Sequence, residues 1–134
     1  VAYIVDGSGA GGDLAGAEIR VDGIDGSSMK ITGLEDSDGD GFSDLLIGVP
    51  GDNAAYLFYG PLSGVYSLMD AIRLQPAEET DEGTPLPSEL VGVSVADAGD
   101  VDGDGKTDML IGARNRSDAF DKCGAAYLVF GEGL

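Results

Sequence analysis

Four carboxylates crowded into nine residues, twice in one chain, constrain this sequence more than any other feature. The stretches are Asp36-Ser37-Asp38-Gly39-Asp40-Gly41-Phe42-Ser43-Asp44 and Asp100-Val101-Asp102-Gly103-Asp104-Gly105-Lys106-Thr107-Asp108, both of the form D-x-D-G-D-G-x-x-D. Such a cluster repels itself unless a cation sits among its oxygens, and oxygen ligands suit a hard cation, which makes calcium the expected occupant. Asp36, Asp38 and Asp40 stand at loop positions one, three and five, as do Asp100, Asp102 and Asp104. Gly41 and Gly105 fall at position six, where a sharp turn needs positive φ. Phe42 and Lys106, at position seven, would offer a backbone carbonyl, and Asp44 and Asp108 close the loops at position nine. A single Asp/Gly cluster reads equally well as a solvated turn. Recurrence in the same order, ahead of the same kind of apolar run, favours two calcium sites.

The spacing also excludes a helix–loop–helix calcium site. That loop needs a bidentate Glu at position twelve, where this chain has Ile47 and Ile111. Each loop instead runs into Leu45-Leu46-Ile47-Gly48 or Met109-Leu110-Ile111-Gly112, short apolar runs that read as buried strand. A dockerin that pairs with a cohesin through duplicated calcium loops is disfavoured for the same reason, and by the length of the offset between the two loops.

Composition narrows the partners. A net charge of −18, from 25 acidic and 7 basic residues, argues against nucleic acid and anionic membrane. Two calcium ions, adding four positive charges, would bring −18 to −14. The remaining acidity favours solubility and suggests a calcium-rich or salty exterior. No run is long enough for a membrane-spanning helix, so no membrane insertion is expected. Cys123 is the only cysteine and there is no histidine; the thiol reads as a small buried hydrophobe with no imidazole to activate it. A nucleophile–base pair cannot be assembled without histidine, and carboxylate catalysis would draw on acids committed to metal, so the chain reads as non-catalytic.

Internal repetition sets the architecture. Position 36 to position 100 is an offset of 64, at which Asp38, Asp40, Gly41 and Asp44 all recur. At an offset of 53, Ala2-Tyr3-Ile4 matches Ala55-Tyr56-Leu57, and Ile19-Arg20-Val21 matches Ile72-Arg73-Leu74. One unit is four strands, A to D, with metal between A and B. Residues 1–23 are expected to hold strands C and D of one unit, 27–75 a complete unit, and 90–131 strands A, B and C of a third. Within them Val1 to Val5, Ala17 to Val21, Ser27 to Leu34, Leu45 to Val49, Ala54 to Gly60, Ser67 to Leu74, Leu90 to Ala98, Met109 to Ala113 and Ala125 to Gly131 read as strands. Ser8 to Gly16 and the acidic, proline-bearing Gln75 to Glu89 read as loops. Four-stranded units repeating every ~40 to 60 residues are the mark of β-propeller blades, about four to eight of which close a ring. The fold class expected is therefore all-β, a partial propeller of four-stranded antiparallel blades with calcium-binding A–B loops.

Gly92-Val93-Ser94-Val95-Ala96, Ala98-Gly99-Asp100 through Asp108, Leu110-Ile111-Gly112-Ala113 and Gly124-Ala125-Ala126-Tyr127-Leu128-Val129-Phe130-Gly131 together resemble the FG-GAP repeat, the blade unit of the integrin α-chain propeller and of many bacterial surface and secreted proteins. The family's calcium ligands then fall on Asp36, Asp38, Asp40, the Phe42 carbonyl and Asp44, and on Asp100, Asp102, Asp104, the Lys106 carbonyl and Asp108. Departures are Val91 before Gly92 and Ser28 in the earlier unit at the "FG" pair, and Gly48-Val49-Pro50 and Gly112-Ala113-Arg114 at the "GAP" triplet. The resemblance implies a calcium-binding segment of an extracellular, secreted or cell-surface protein that serves protein or glycan binding, or adhesion. The alternative is an accessory propeller segment of a secreted hydrolase or lyase. Arg114 to Lys122 gathers three of the seven basic residues beside Phe120 and is the candidate ligand-facing loop, against a plain solvated connection. Two and a half blades cannot close a ring, so remaining blades of a longer chain or self-association are expected to cover the open flank.

Overall fold

Runs of β-branched and aromatic residues bounded by Asp, Gly and Pro favour strands joined by tight turns, and the chain is all-β. The computed structural model describes residues 1–4, 19–22, 28–76, 89–115, 124–131 and 134. The Gly-rich link at 8–16, Ala17 and Glu18, residues 77–88 of the acidic proline segment, and residues 116–123, including Phe120 and Cys123, lie outside the described residues.

Three sheets follow one another. The first joins β1 (Ala2–Ile4), β2 (Ile19–Asp22) and β6 (Gly64–Ser67). The second is β3 (Lys30–Leu34), β4 (Asp44–Val49), β5 (Ala54–Phe58) and β7 (Ile72–Leu74), in that order and antiparallel throughout. The third is β8 (Val91–Gly99), β9 (Asp108–Ala113) and β10 (Ala125–Val129), again antiparallel. Register is shared by the two units: Gly48 pairs with Ala55 and Val49 with Ala54, as Gly112 pairs with Ala126 and Ala113 with Ala125.

Two details depart from the sequence reading. The strand expected over Ser67 to Leu74 is broken by a one-turn 3-10 helix at Leu68–Asp70. The Ser67 N–H donates to Asp70 Oδ2 at 2.7 Å and the Met69 N–H to Ser67 Oγ at 3.3 Å, a capping box that outcompetes extension. The segment before it, to which the sequence reading assigned no strand, forms β6 and crosses to the first sheet, where it runs parallel to β2, so that sheet is not purely antiparallel. Val21 is opposite Tyr66 on the covered side and Arg20 opposite Val65 on the exposed side, which fixes the register through the period-two alternation.

The core lies between sheets. From β4 and β5, Leu45, Ile47, Val49, Ala54, Tyr56 and Phe58 face the first sheet, where Ala2 and Val21 meet them. The intervening Leu46, Ala55 and Leu57 face Val91, Met109, Ile111 and Ala113 of the third. Both strands are buried along their whole length, as their unbroken apolar runs predict for strands covered on two faces. The same runs are buried on one face only in β9 and half-buried on one face in β10, leaving Leu110 and Leu128 at 40% and 41% exposure.

The second and third sheets touch backbone to backbone at one point. A bulge between Val91 and Ser94 carries Gly92 at φ 89° and lays its carbonyl over Gly48. A Cβ on Gly48 would lie 2.9 Å from the Gly92 carbonyl carbon, and a Cβ on Gly92 would lie 2.8 Å from the Val49 nitrogen. Glycine at both positions lets the sheets approach this closely.

Candidate metal centre

Each acidic loop is shaped by its first aspartate. Asp36 Oδ1 accepts from the Gly39 N–H at 2.6 Å and the Asp40 N–H at 3.1 Å, and Oδ2 accepts from the Gly41 N–H at 2.8 Å. Asp100 does the same with Gly103 at 2.6 Å, Asp104 at 3.1 Å and Gly105 at 2.9 Å. Gly41 and Gly105 take φ 89° and 90°, as position six was expected to. Asp38 and Asp102 each accept from the amide two residues on, at 3.1 Å in both loops. Phe42 and Lys106 donate their own amides to Asp40 and Asp104, both at 2.8 Å. Sequences that differ at positions two, seven and eight thus reach one geometry, because the turn is written by the shared Asp and Gly positions.

The ninth-position aspartates are a different kind of residue. Asp44 and Asp108 open β4 and β9 and are 4% and 0% exposed. Asp44 Oδ2 accepts from the Ser37 N–H at 2.8 Å and from the Ser37 hydroxyl, while Oδ1 accepts from the Gly60 N–H at 2.8 Å. Asp108 accepts from the Val101 N–H at 2.8 Å and the Gly131 N–H at 3.1 Å. Each therefore ties its own loop to the end of the strand two along in the unit. Sequence reasoning missed Gly60, Gly131 and Ser37. The two glycines end the matching runs Tyr56-Leu57-Phe58-Tyr59 and Tyr127-Leu128-Val129-Phe130, a signal that was available.

Carboxylate oxygens converge in both loops. One oxygen each of Asp36, Asp38 and Asp40 lie within 4.8 Å of one another, and so do oxygens of Asp100, Asp102 and Asp108. Two oxygens on one calcium at ~2.3–2.6 Å can be no more than about 5 Å apart, so both trios fit a shared ion. Asp44 and Asp104 stand outside these trios.

Two loop carboxyls are shifted in opposite directions. Desolvation pushes the Asp36 carboxyl up, but the N–H groups of Gly41, Gly39 and Asp40 together outweigh it and hold its pKa below the ordinary value. Asp102 is raised, by desolvation and by the charges of Asp104, Asp108 and Asp100, against a single lowering hydrogen bond from the Asp104 N–H. Tyr59 is raised by desolvation and by the negative charges of Asp38 and Asp44.

The two loops are neighbours. The Thr107 N–H donates to the Asp36 carbonyl at 2.8 Å, and the Glu35 N–H to Asp97 Oδ2 at 3.2 Å. Gly131 sits where a Cβ would meet the carbonyls of both Ser37, at 2.5 Å, and Thr107, at 2.8 Å. Arg114, the described end of the candidate ligand-facing loop, is exposed and carries no part of this arrangement.

No curated protein and no solved structure matches the chain. A family model does: the FG-GAP repeat matches residues 92–128. That stretch takes in most of β8, the second acidic loop, β9 and the first four residues of β10, and the chain carries an FG-GAP repeat there.

Proposed function

We propose that the chain is a calcium-stiffened β-propeller segment of an extracellular or cell-surface protein, non-catalytic and serving protein or glycan binding, or adhesion. The observation that carries this reading is the pair of acidic loops with one hydrogen-bonding scheme. Each stands at a strand-to-strand turn, with its last aspartate buried and tied to another strand end. A cation held there, by Asp36, Asp38, Asp40, the Phe42 carbonyl and Asp44 or by Asp100, Asp102, Asp104, the Lys106 carbonyl and Asp108, would neutralise charge and lock the turn. It would not face a substrate. The FG-GAP repeat supports an extracellular setting, and no helix among the described residues is long and apolar enough to cross a membrane.

Calorimetric titration of the chain is expected to find two calcium ions, each with Kd of ~10⁻⁴ to 10⁻³ M, the range of extracellular modules. At calcium a hundredfold above Kd, each site adds about 2.7 kcal/mol of stability that chelation removes. No heat of binding, with an unchanged melting temperature in chelator, would end the reading.

The exposed side of the third sheet supports the repeat arrangement. Leu110 and Leu128 are the counterparts of Leu46 and Leu57, which are 0% and 1% exposed beneath a neighbouring sheet. A further unit covering Leu110, Leu128 and Phe130 would complete the pattern, supplied by other blades or by a second copy of this chain. The chain alone should therefore self-associate with rising concentration, and Leu128→Glu should abolish this. Light scattering that finds the same monomer at every concentration would contradict it.

A further inference from the structure

The two acidic loops are tied to each other at two points. Glu35, the residue before the first loop, donates its N–H to Asp97 Oδ2 at 3.2 Å, and Gly99, the residue before the second, donates its N–H to Asp97 Oδ1 at 2.6 Å. One carboxylate thus holds both loop entrances. Near the end of the second loop, the Thr107 N–H donates to the Asp36 carbonyl at 2.8 Å. That N–H belongs to the peptide group whose carbonyl, from Lys106, is the position-seven ligand candidate of the second loop, while Asp36 is position one of the first. The Lys106 stem reaches across as well, since a Cβ on Gly39 would lie 3.4 Å from its Cε.

Loop shape alone does not call for Asp97. It pairs with Met109 as Gly33 pairs with Leu45, and the repeat offset of 64 relates the same positions. With Gly33 in that place, Asp36 still gathers the same three amides that Asp100 gathers in the second loop. What Asp97 adds over Gly33 is the bond to the neighbouring unit. A register shift between Asp97 and Gly99 interrupts β8 there, the kind of irregularity that aims a side chain at a new partner.

We propose that the two loops take up calcium with positive cooperativity, and that Asp97 is the positioning residue that couples them, a regulation of the same two sites that rests on the calcium reading above. The carboxylates of an empty loop repel one another, so closure of either loop waits on a cation. Once one loop has closed its ends are fixed, and the Asp97 and Thr107 bonds hold the other loop's entrance and position-one residue in place. The second ion then has less chain to order, which raises its affinity with no change of ligand. A cation on the Lys106 carbonyl would also polarise that peptide group and strengthen its N–H bond to Asp36. Repulsion between the ions acts the other way, but it runs through solvent around exposed loops, where salt screens it over ~8 Å. By reciprocity each site tightens the other by one factor, typically about 5–150-fold.

The test is calorimetric titration of the whole chain with calcium. Asp102→Asn leaves the first site alone and Asp38→Asn the second, which gives the two single-site association constants. The product of the two stepwise constants of the unsubstituted chain is expected to exceed the product of the single-site constants at least about fivefold. Asp97 is exposed, so Asp97→Ala spares the core and should still bind two ions, with the excess, measured in that background, reduced about threefold or more. Asp97→Asn, whose one acceptor oxygen serves only one of the two amides, should reduce it too. A merely structural Asp97 would weaken single-site and stepwise constants together and leave the excess unmoved. Two ions with no excess, a second ion weaker than its single-site value, or an excess that survives Asp97→Ala would overturn the coupling and leave the calcium reading standing. No ion bound by the unsubstituted chain would end both.

Discussion

Alanine at position 92 is expected to cost the fold about 2–5 kcal/mol, the sum of backbone strain and steric overlap. Gly92 stands at φ 89°, where a Cβ is strained whatever the surroundings. That Cβ would also lie 2.5 Å from the Ala54 carbonyl oxygen and 2.9 Å from the Gly48 Cα, so the neighbours it meets are backbone and cannot rotate aside. Gly48→Ala meets the other side of the same contact without the strain and should cost about 1–3 kcal/mol. Because one separation of the sheets would accommodate both methyl groups, the double substitution should cost less than the sum of the singles. Gly33→Ala serves as the control: its Cβ would meet nothing within 4 Å, and the change should stay within about 0.5 kcal/mol. Urea unfolding in saturating calcium measures all four. Against a typical total of about 5–15 kcal/mol, the Gly92 effect is unmistakable. An unshifted midpoint for Gly92→Ala, or strict additivity in the double variant, would show that the two sheets do not meet there.

That contact marks where the sequence stops being readable. The acidic loops could be read because their bonds are local: Asp36 organises residues three to five positions ahead of it, and the spacing states this directly. The ties from Asp44 to Gly60 and from Asp108 to Gly131 span 16 and 23 residues. Their spacing changes with the loop between, so only the matching strand ends could have revealed them. Burial was legible for β4 and β5 and misleading for β9 and β10. Leu46 and Leu110 sit in near-identical runs, and what separates them is a neighbouring sheet, which a strand's own residues do not encode. The Ser67 capping box is written in the sequence as Ser-x-x-Asp, against the β-propensity of the residues on either side. The parallel placement of β6 depends on a partner more than forty residues earlier, and four residues of Gly-Val-Tyr-Ser do not specify one.

The second large effect separates structure from metal within one loop. Asp108→Asn is expected to cost about 2–4 kcal/mol even in chelator, as well as removing the second calcium site. Its carboxylate is fully buried and receives two backbone N–H groups, one on each oxygen. Asparagine has a single acceptor oxygen, so one of those donors would face an NH₂ group. Losing a hydrogen bond to a charged group costs about 1.5–3 kcal/mol, and a buried unsatisfied donor adds about 1–3 kcal/mol. Removing a negative charge also relieves repulsion within the loop, up to ~3 kcal/mol for a pair of oxygens ~5 Å apart at an effective ε of ~20 and less once salt screens it. The two hydrogen-bond terms together, about 2.5–6 kcal/mol, are larger, so their loss wins. Asp102→Asn reverses the balance: the residue is exposed, accepts the Asp104 N–H at 3.1 Å and no other donor among the described residues, and is crowded by Asp104, Asp108 and Asp100. It should leave stability in chelator unchanged or slightly raised, while calcium stoichiometry falls from two to one. The pair Asp44→Asn and Asp38→Asn should reproduce the contrast in the first loop. Wild-type stability of Asp108→Asn in chelator would remove the buried carboxylate from its anchoring role, and two calcium ions still bound by Asp102→Asn would remove Asp102 from the ligand set.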